Sequence, residues 1–366
     1  MQQTSKNIKE VKYRIMFKTK LSTILALVAV LSLLLTPATY AAEGTTQGSF
    51  GAASQPPTVD FIQIFSDSGC TVVANSMDPL TQYWCKVTVT SPNKLKHLNE
   101  VKATLFYNNS GNVNMVAPGS ADTQTCAILT CAIGTPPGYT QTFSITPLGG
   151  GTTWQLGTCT PPADLNVTTG DWIFAFTPGK VAHEATGAAA PGPDVWDAQG
   201  LATNRNSQTG ELYRRGKYMN CYSEITVTGT VNWGDVPLGL TFEDATYNPR
   251  PATDNISITY IANGDYASDI KSTDWTSGGE TVVLDETGGD PPSSAGQFAL
   301  EASWHNVPSD NVTVNKTTYT AMYVLGTITP EAGTAFATNK LWLSLSQTGI
   351  LPGIYSGTIW YQVRCR

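Results

Sequence analysis

The sequence predicts an all-β protein: two tandem β-sandwich domains following an N-terminal export segment. Three observations lead there. From Thr58 onward, short β-branched or aromatic runs recur with turn residues between them. No long stretch of helical period follows residue 42. Charged residues make up only 13 % of the chain, with Thr, Ser, Asn and Gly filling the polar positions, as suits the outward positions of exported strands.

Residues 1–42 read as a signal peptide. Lys6, Lys9, Lys12, Arg14, Lys18 and Lys20 precede an apolar run from Leu21 to Leu35, and Pro37 to Ala42 supplies a small-residue exit. The run is short for a membrane span, which needs roughly 20 residues. Cleavage near Ala41 or Ala42 is therefore expected rather than retention as an anchor. Six of the 21 basic and one of the 28 acidic residues lie in this segment, so the mature chain carries 15 against 27, a net of −12. An acidic surface with scattered lysines disfavours nucleic acid and anionic membranes as partners. Residues 43–57, rich in Gly, Thr, Ser and Gln, read as a flexible lead-in.

An N-terminal sandwich is expected over 58–200. Its strands include Val59–Phe65, Tyr83–Val89, Val101–Tyr107, Thr142–Ile145 and Asp171–Phe176, separated by turns such as Asn108-Asn-Ser-Gly111 and Pro136-Pro-Gly138. Trp172, Phe174 and Phe176 alternate with Ile173 and Ala175, so both faces of that strand are apolar, the mark of a central strand. Residues 201–222 contain Arg205, Arg214, Arg215 and Lys217, the one concentrated basic stretch of the mature chain, and read as a solvated linker.

The C-terminal domain, 223–366, holds about seven strand candidates from Ile225 to Val363, which fits an immunoglobulin-like sandwich. Folding Leu341–Ser346 against Tyr355–Val363 as a hairpin about Leu351, with Pro352-Gly353 in the turn, would set Trp342 opposite Trp360. Such a pair on an otherwise polar face would offer a platform for a sugar ring or a neighbouring subunit.

Seven cysteines in an exported chain point to disulfides with at least one thiol left over. Cys70 and Cys85 flank a turn segment and are a candidate pair. Cys126 and Cys131, five apart on one strand, would face opposite sides, which makes Cys126 with Cys159 the better expectation. Cys365, next to the last residue, is the expected odd thiol. Zinc is disfavoured, since no Cys-x-x-Cys occurs and the three histidines are dispersed. The loop Asp285–Asp290 and the segment Asp194–Asp197 are the candidate oxygen ligands for calcium, though neither matches an EF-hand loop. Sequons at Asn108, Asn166, Asn255, Asn311 and Asn315 are candidate glycosylation sites.

Catalytic signatures are scarce. His183-Glu184 lacks the second helical histidine of a zinc protease, and there is no nucleophile elbow, phosphate-binding loop or dinucleotide fingerprint. Paired carboxylates of the glycosidase kind cannot be judged by counting.

Thr228-Gly-Thr-Val-Asn-Trp-Gly-Asp-Val236, Ile258 to Tyr266, Leu341 to Ser346 and Gly353-Ile-Tyr-Ser-Gly-Thr-Ile-Trp-Tyr361 resemble exported prokaryotic envelope proteins with immunoglobulin-like domains. The likeness extends distantly to wall-binding WxL-type domains and to fibre-subunit surface domains. The WxL signature itself is absent, because Trp342 is followed by Leu-Ser, and the shared motifs carry no catalytic residue. The resemblance implies a secreted or cell-surface, non-enzymatic structural or adhesive protein, with other envelope proteins or further copies of itself as partners. No transmembrane anchor is expected in the mature chain. The alternatives are a carbohydrate-binding module using Trp342 and Trp360, and a secreted hydrolase.

Overall fold

Strand alternation builds the first core. In the computed structural model, which describes residues 3–34, 54–110, 112, 114–147, 153–185, 194–249, 256–303, 311–326, 328–335 and 340–366, ten strands precede residue 220. They are β1 (Thr58–Phe65), β2 (Ser76–Met77), β3 (Tyr83–Thr90), β4 (Leu98–Asn108), β5 (Cys126–Ile133), β6 (Gln141–Thr146), β7 (Gln155–Leu156), β8 (Thr169–Thr177), β9 (Val195–Asn204) and β10 (Thr209–Met219). Tyr83, Cys85, Val87 and Val89 of β3 are buried while their neighbours are not fully so, the period of two that one covered face requires.

A four-stranded sheet in the order β1-β3-β8-β7 packs on a six-stranded one, β2-β10-β9-β4-β5-β6, across a single core. Trp154, Trp172, Trp196, Phe174 and Phe176 are fully buried, and Trp154 lies 5.5 Å from Trp196 and 6.1 Å from Phe176, ring centre to ring centre. Rings of this size supply much of the burial that holds two sheets together.

Residues 201–222 are not a linker. They form the end of β9 and all of β10, two adjoining strands of the six-stranded sheet. The basic residues that suggested solvent are strand positions with partners of their own. Arg215 Nη1 donates to the buried Asp197 at 2.6 Å, and Lys217 buries its ammonium against the Ala74 carbonyl at 2.6 Å. Burial pushes the Lys217 amine down to about 8.

Eleven strands follow: β11 (Ser223–Thr228), β12 (Ser257–Ala262), β13 (Tyr266–Ser272), β14 (Trp275–Ser277), β15 (Glu280–Leu284), β16 (Gln297–Ser303), β17 (Val312–Thr313), β18 (Thr320–Gly326), β19 (Thr334–Ala335), β20 (Lys340–Leu345) and β21 (Ile359–Cys365). They divide among a β11-β12-β19 sheet, a β18-β13-β21 sheet and a third containing β14-β15-β16-β17 with β20 on β16. The all-β class holds. The one α-helix among the described residues, α1 (Gln3–Leu34), lies within the expected signal segment, and no helix among the described residues is long and apolar enough to cross a membrane. The expected cleavage site at Ala41 or Ala42 and most of the lead-in lie outside the described residues.

Residues 54–366 form one compact unit, joined at a hydrogen-bonded junction between the two sets of strands. The fully buried Asn263, in the β12–β13 turn, donates from Nδ2 to the carbonyls of Ala182 (2.7 Å) and Asn220 (3.0 Å) and accepts from the Tyr222 amide (2.6 Å). Its backbone bonds Tyr222 and Glu184. Lys180 and Tyr222 both donate to Glu224 at 2.6 Å. Gly264 is needed here, because a Cβ on it would overlap the Glu184 carboxylate.

Two predictions follow from this junction. Asn263→Ala leaves up to three buried backbone groups without partners and lowers stability by about 3–5 kcal/mol, read by urea denaturation; a loss below about 1 kcal/mol would show that the junction does not bear on folding. Burial, together with Asp194 and Asp265, raises the Glu184 carboxyl above its ordinary value. The folded state therefore favours its protonated form, a contribution present below pH 4.5 and lost as pH rises through the raised value. Glu184→Gln should stabilise the protein at pH 7 and lose that advantage towards pH 4; an equal effect at both pH values contradicts the assignment.

Candidate functional site

The aromatic pair expected from the sequence is not formed. β20 pairs with β16 and β21 with β13, so Trp342 and Trp360 stand in different sheets. The segment between them does not turn tightly. It is held along the third sheet by Gly296 N to the Thr348 carbonyl (2.9 Å) and by the Thr276–Ser356 bridge. Trp342 is buried against Phe242 and Ala299, whereas Trp360 is 38 % exposed.

The β18-β13-β21 sheet provides a different set of neighbours for Trp360. Antiparallel register sets Lys271 of β13 opposite Trp360, and Ile270 opposite Thr320 at the start of β18, which carries Tyr319 to the other flank of Lys271. The Lys271 ammonium lies 4.5 Å from the Tyr319 ring centre and 5.1 Å from that of Trp360. Each such exposed contact is worth about 0.5–1 kcal/mol. Two residues along, Asp269 is buried and accepts from Arg364 Nε at 2.6 Å, which braces the two strands beneath the row. Elsewhere on the connection into β21, along the third sheet, Leu351 and Ile354 are 57 % and 90 % exposed. The row combines two aromatic faces, one cation and nearby polar strand positions. It is suited to stacking on a ring or packing on another β surface. Lys271 alternates regularly in its strand, but the sequence carried no signal for which strands would lie beside it.

The remaining candidates fall elsewhere. Cys221 and Cys365 form a disulfide across 144 residues, so Cys365 is not the odd thiol: β21 runs back along β13 until its end reaches the start of β11, where the Ser223 hydroxyl donates to the Val363 carbonyl. Cys126 does not face Cys159. Ala127, Leu129, Cys131 and Ile133 of β5 point into the inter-sheet core that Cys159 packs against, and Cys126 lies on the opposite face beside Asp122. Cys85 faces the core, and Cys70 lies in the turn after β1 and is half-buried. Burial first, and Cys70 second, pushes the Cys85 thiol upward.

Asn108 is buried, and its Nδ2 donates to Asn112 O and Asp197 Oδ2. Asn166 is exposed; Asn311 donates to Glu301 at 2.8 Å; Asn315 is half-buried; and Asn255 lies outside the described residues. The calcium candidates are turned to protein donors. Asp285 accepts from Thr287 and Gly289, Asp290 from Phe242 and Ser344, and Asp197 from Arg215 and Gly216. Among the described residues no three or more His, Cys, Asp or Glu side chains gather so as to hold a metal ion. His183 stacks on Tyr107 at 3.9 Å with Nδ1 on the Glu184 carbonyl; His305 lies outside the described residues.

No family model and no curated protein matches the chain. Among solved structures it is similar to the major pilin subunit BcpA of Bacillus cereus, with 12 % identity over 83 % of this chain and 67 % of that one and a TM-score of 0.22. It is also similar to the 35 kDa C-terminal fragment of the major pilin GBS80 of Streptococcus agalactiae, with 11 % identity over 83 % and 91 % and a TM-score of 0.21. Overlap this loose transfers no function.

The two tryptophans should respond differently to truncation. Trp342→Ala opens a cavity in a packed cluster and costs about 3–5 kcal/mol. Trp360→Ala removes exposed contacts and costs about 1 kcal/mol or less. Equal losses in urea denaturation would contradict the burial contrast.

Proposed function

We propose that this chain is an exported, non-enzymatic surface protein of structural or adhesive type, acting through contacts made by its β faces. The observation that carries the reading is the exposed Tyr319–Lys271–Trp360 row on a three-stranded sheet. A braced sheet with aromatic rings in solvent is a docking surface, since exposed rings of this kind mark interaction sites. The basic and apolar segment before residue 42 supports export. Other envelope proteins or further copies of the chain are the partners this reading favours. A second reading rests on the same row: two rings flanking an ammonium suit stacking on a sugar that carries an acidic group.

Light scattering and negative-stain imaging of residues 43–366 test the reading. Concentration-dependent oligomers or filaments are expected, weakened at least tenfold by Trp360→Ala with the fold retained by circular dichroism. A monomer that binds acidic polysaccharide, with binding lost in Trp360→Ala, would move the assignment to the second reading. A monomer that binds none removes both.

A further inference from the structure

Five of the six described cysteines outside β21 remain as thiols, and two of them face each other's sheet. Cys131 lies on β5 of the six-stranded sheet with its side chain in the core, opposite Phe143 of β6. Cys159 lies beside β8 of the four-stranded sheet. The Thr160–Ile173 pair, with backbone bonds of 2.8 and 2.9 Å, places Cys159 next to Phe174. The Phe143 and Phe174 rings meet edge to face across the gap at 5.3 Å. The ring beside each cysteine therefore touches the ring beside the other, at one level of the sandwich.

Gln141 ties the same level together. Its Oε1 accepts from Trp172 Nε1 at 3.0 Å and from Cys131 Sγ at 3.8 Å, and its Nε2 donates to the Pro162 carbonyl at 3.5 Å, three residues beyond Cys159. Cys159 Sγ donates to the carbonyls of Gly157 (3.6 Å) and Ala175 (3.9 Å). These are weak partners for two thiols at the side of a buried tryptophan.

We propose that Cys131 and Cys159 are joined as an inter-sheet disulfide in the oxidised protein, leaving Cys126, buried on the opposite face of β5, as a thiol. The step is an exchange with an external small-molecule disulfide. One cysteine thiolate attacks it, forms a mixed disulfide and releases one thiol; the second cysteine then displaces the other thiol and closes the S–S bond. Two protons and two electrons leave the protein, and one external disulfide becomes two thiols. Burial pushes the Cys131 thiol up to about 12, with Cys159 as a lesser contributor, and raises Cys159 as well. Thiolate is therefore scarce once the sheets have closed, and the bond forms during folding rather than after it.

The test uses the full chain refolded with reduced and oxidised glutathione and selected for a closed Cys221–Cys365 bond, which certifies that the conditions oxidise this protein. After alkylation in denaturant without reduction, peptide mass spectrometry should find Cys131 linked to Cys159 and Cys126 alkylated. Alkylated Cys131 and Cys159, or a Cys126–Cys159 link, would overturn the proposal. Cys159→Ser supplies a second readout. Reduction should lower the melting midpoint of the parent further than that of the variant, which loses the Cys221–Cys365 bond alone; equal shifts count against the pairing. The bond can form in vitro whatever compartment the protein occupies, so its failure would leave the export reading standing.

Discussion

The hydrogen-bonded side chain of Asn263 is the constraint on which the arrangement of the two halves depends. It is fully buried, and its amide serves one carbonyl from the β8–β9 connection and one from the segment leaving β10, while its oxygen holds the amide of Tyr222. No apolar residue could replace it without stranding those backbone groups. Because the β10 exit and the β12–β13 turn are pinned to the same side chain, the chain does not pass from one sandwich to the next through a loose tether. Glu184, Tyr107 and His183 pack at the same place, with Tyr107 donating to Asp194 at 2.7 Å.

From that junction the remaining geometry follows by strand pairing. β13 leaves the Asn263 turn as the centre of a three-stranded sheet, and β21 returns along it to end at Cys365, bonded to Cys221 beside the junction. The disulfide and the asparagine thus close the same end of the C-terminal set of strands. At the far end of β13, Lys271 stands between Tyr319 and Trp360. The exposed row is therefore the open end of a sheet whose other end is locked, and its three side chains take their spacing from register rather than from local sequence.

The N-terminal sandwich shows the same logic in its core. Trp172, Phe174 and Phe176 lie on one face of a strand paired on both sides, and the Phe143–Phe174 contact spans the gap between the sheets. The buried polar residues of these strands have partners. On the face of the six-stranded sheet turned away from this core, Asp197 takes Arg215 and Asn108. Lys217, opposite the core residue Trp196, reaches a backbone carbonyl. Buried charges survive in a sandwich on those terms.

Alternation and turn residues were enough to read from the sequence an all-β chain and to place most strands of the first sandwich. Alternation also separated the faces of Cys126 and Cys131. The sequence could not say which face met Cys159, because period two gives opposite sides without saying which side is the core. The basic residues between 205 and 217 hid β10, since a lysine or arginine in a strand looks solvated until its partner from a distant strand is known. The Trp342 and Trp360 pairing failed for the same reason: strand neighbours in a sheet are chosen by long-range packing, and a short apolar segment is compatible with several. The strands themselves are a local property of side-chain shape and alternation, legible residue by residue. The long-range pairings, such as β4 with β9 and β13 with β21, and the junction at Asn263 depend on groups more than forty residues apart and were decided only when the tertiary structure brought them together.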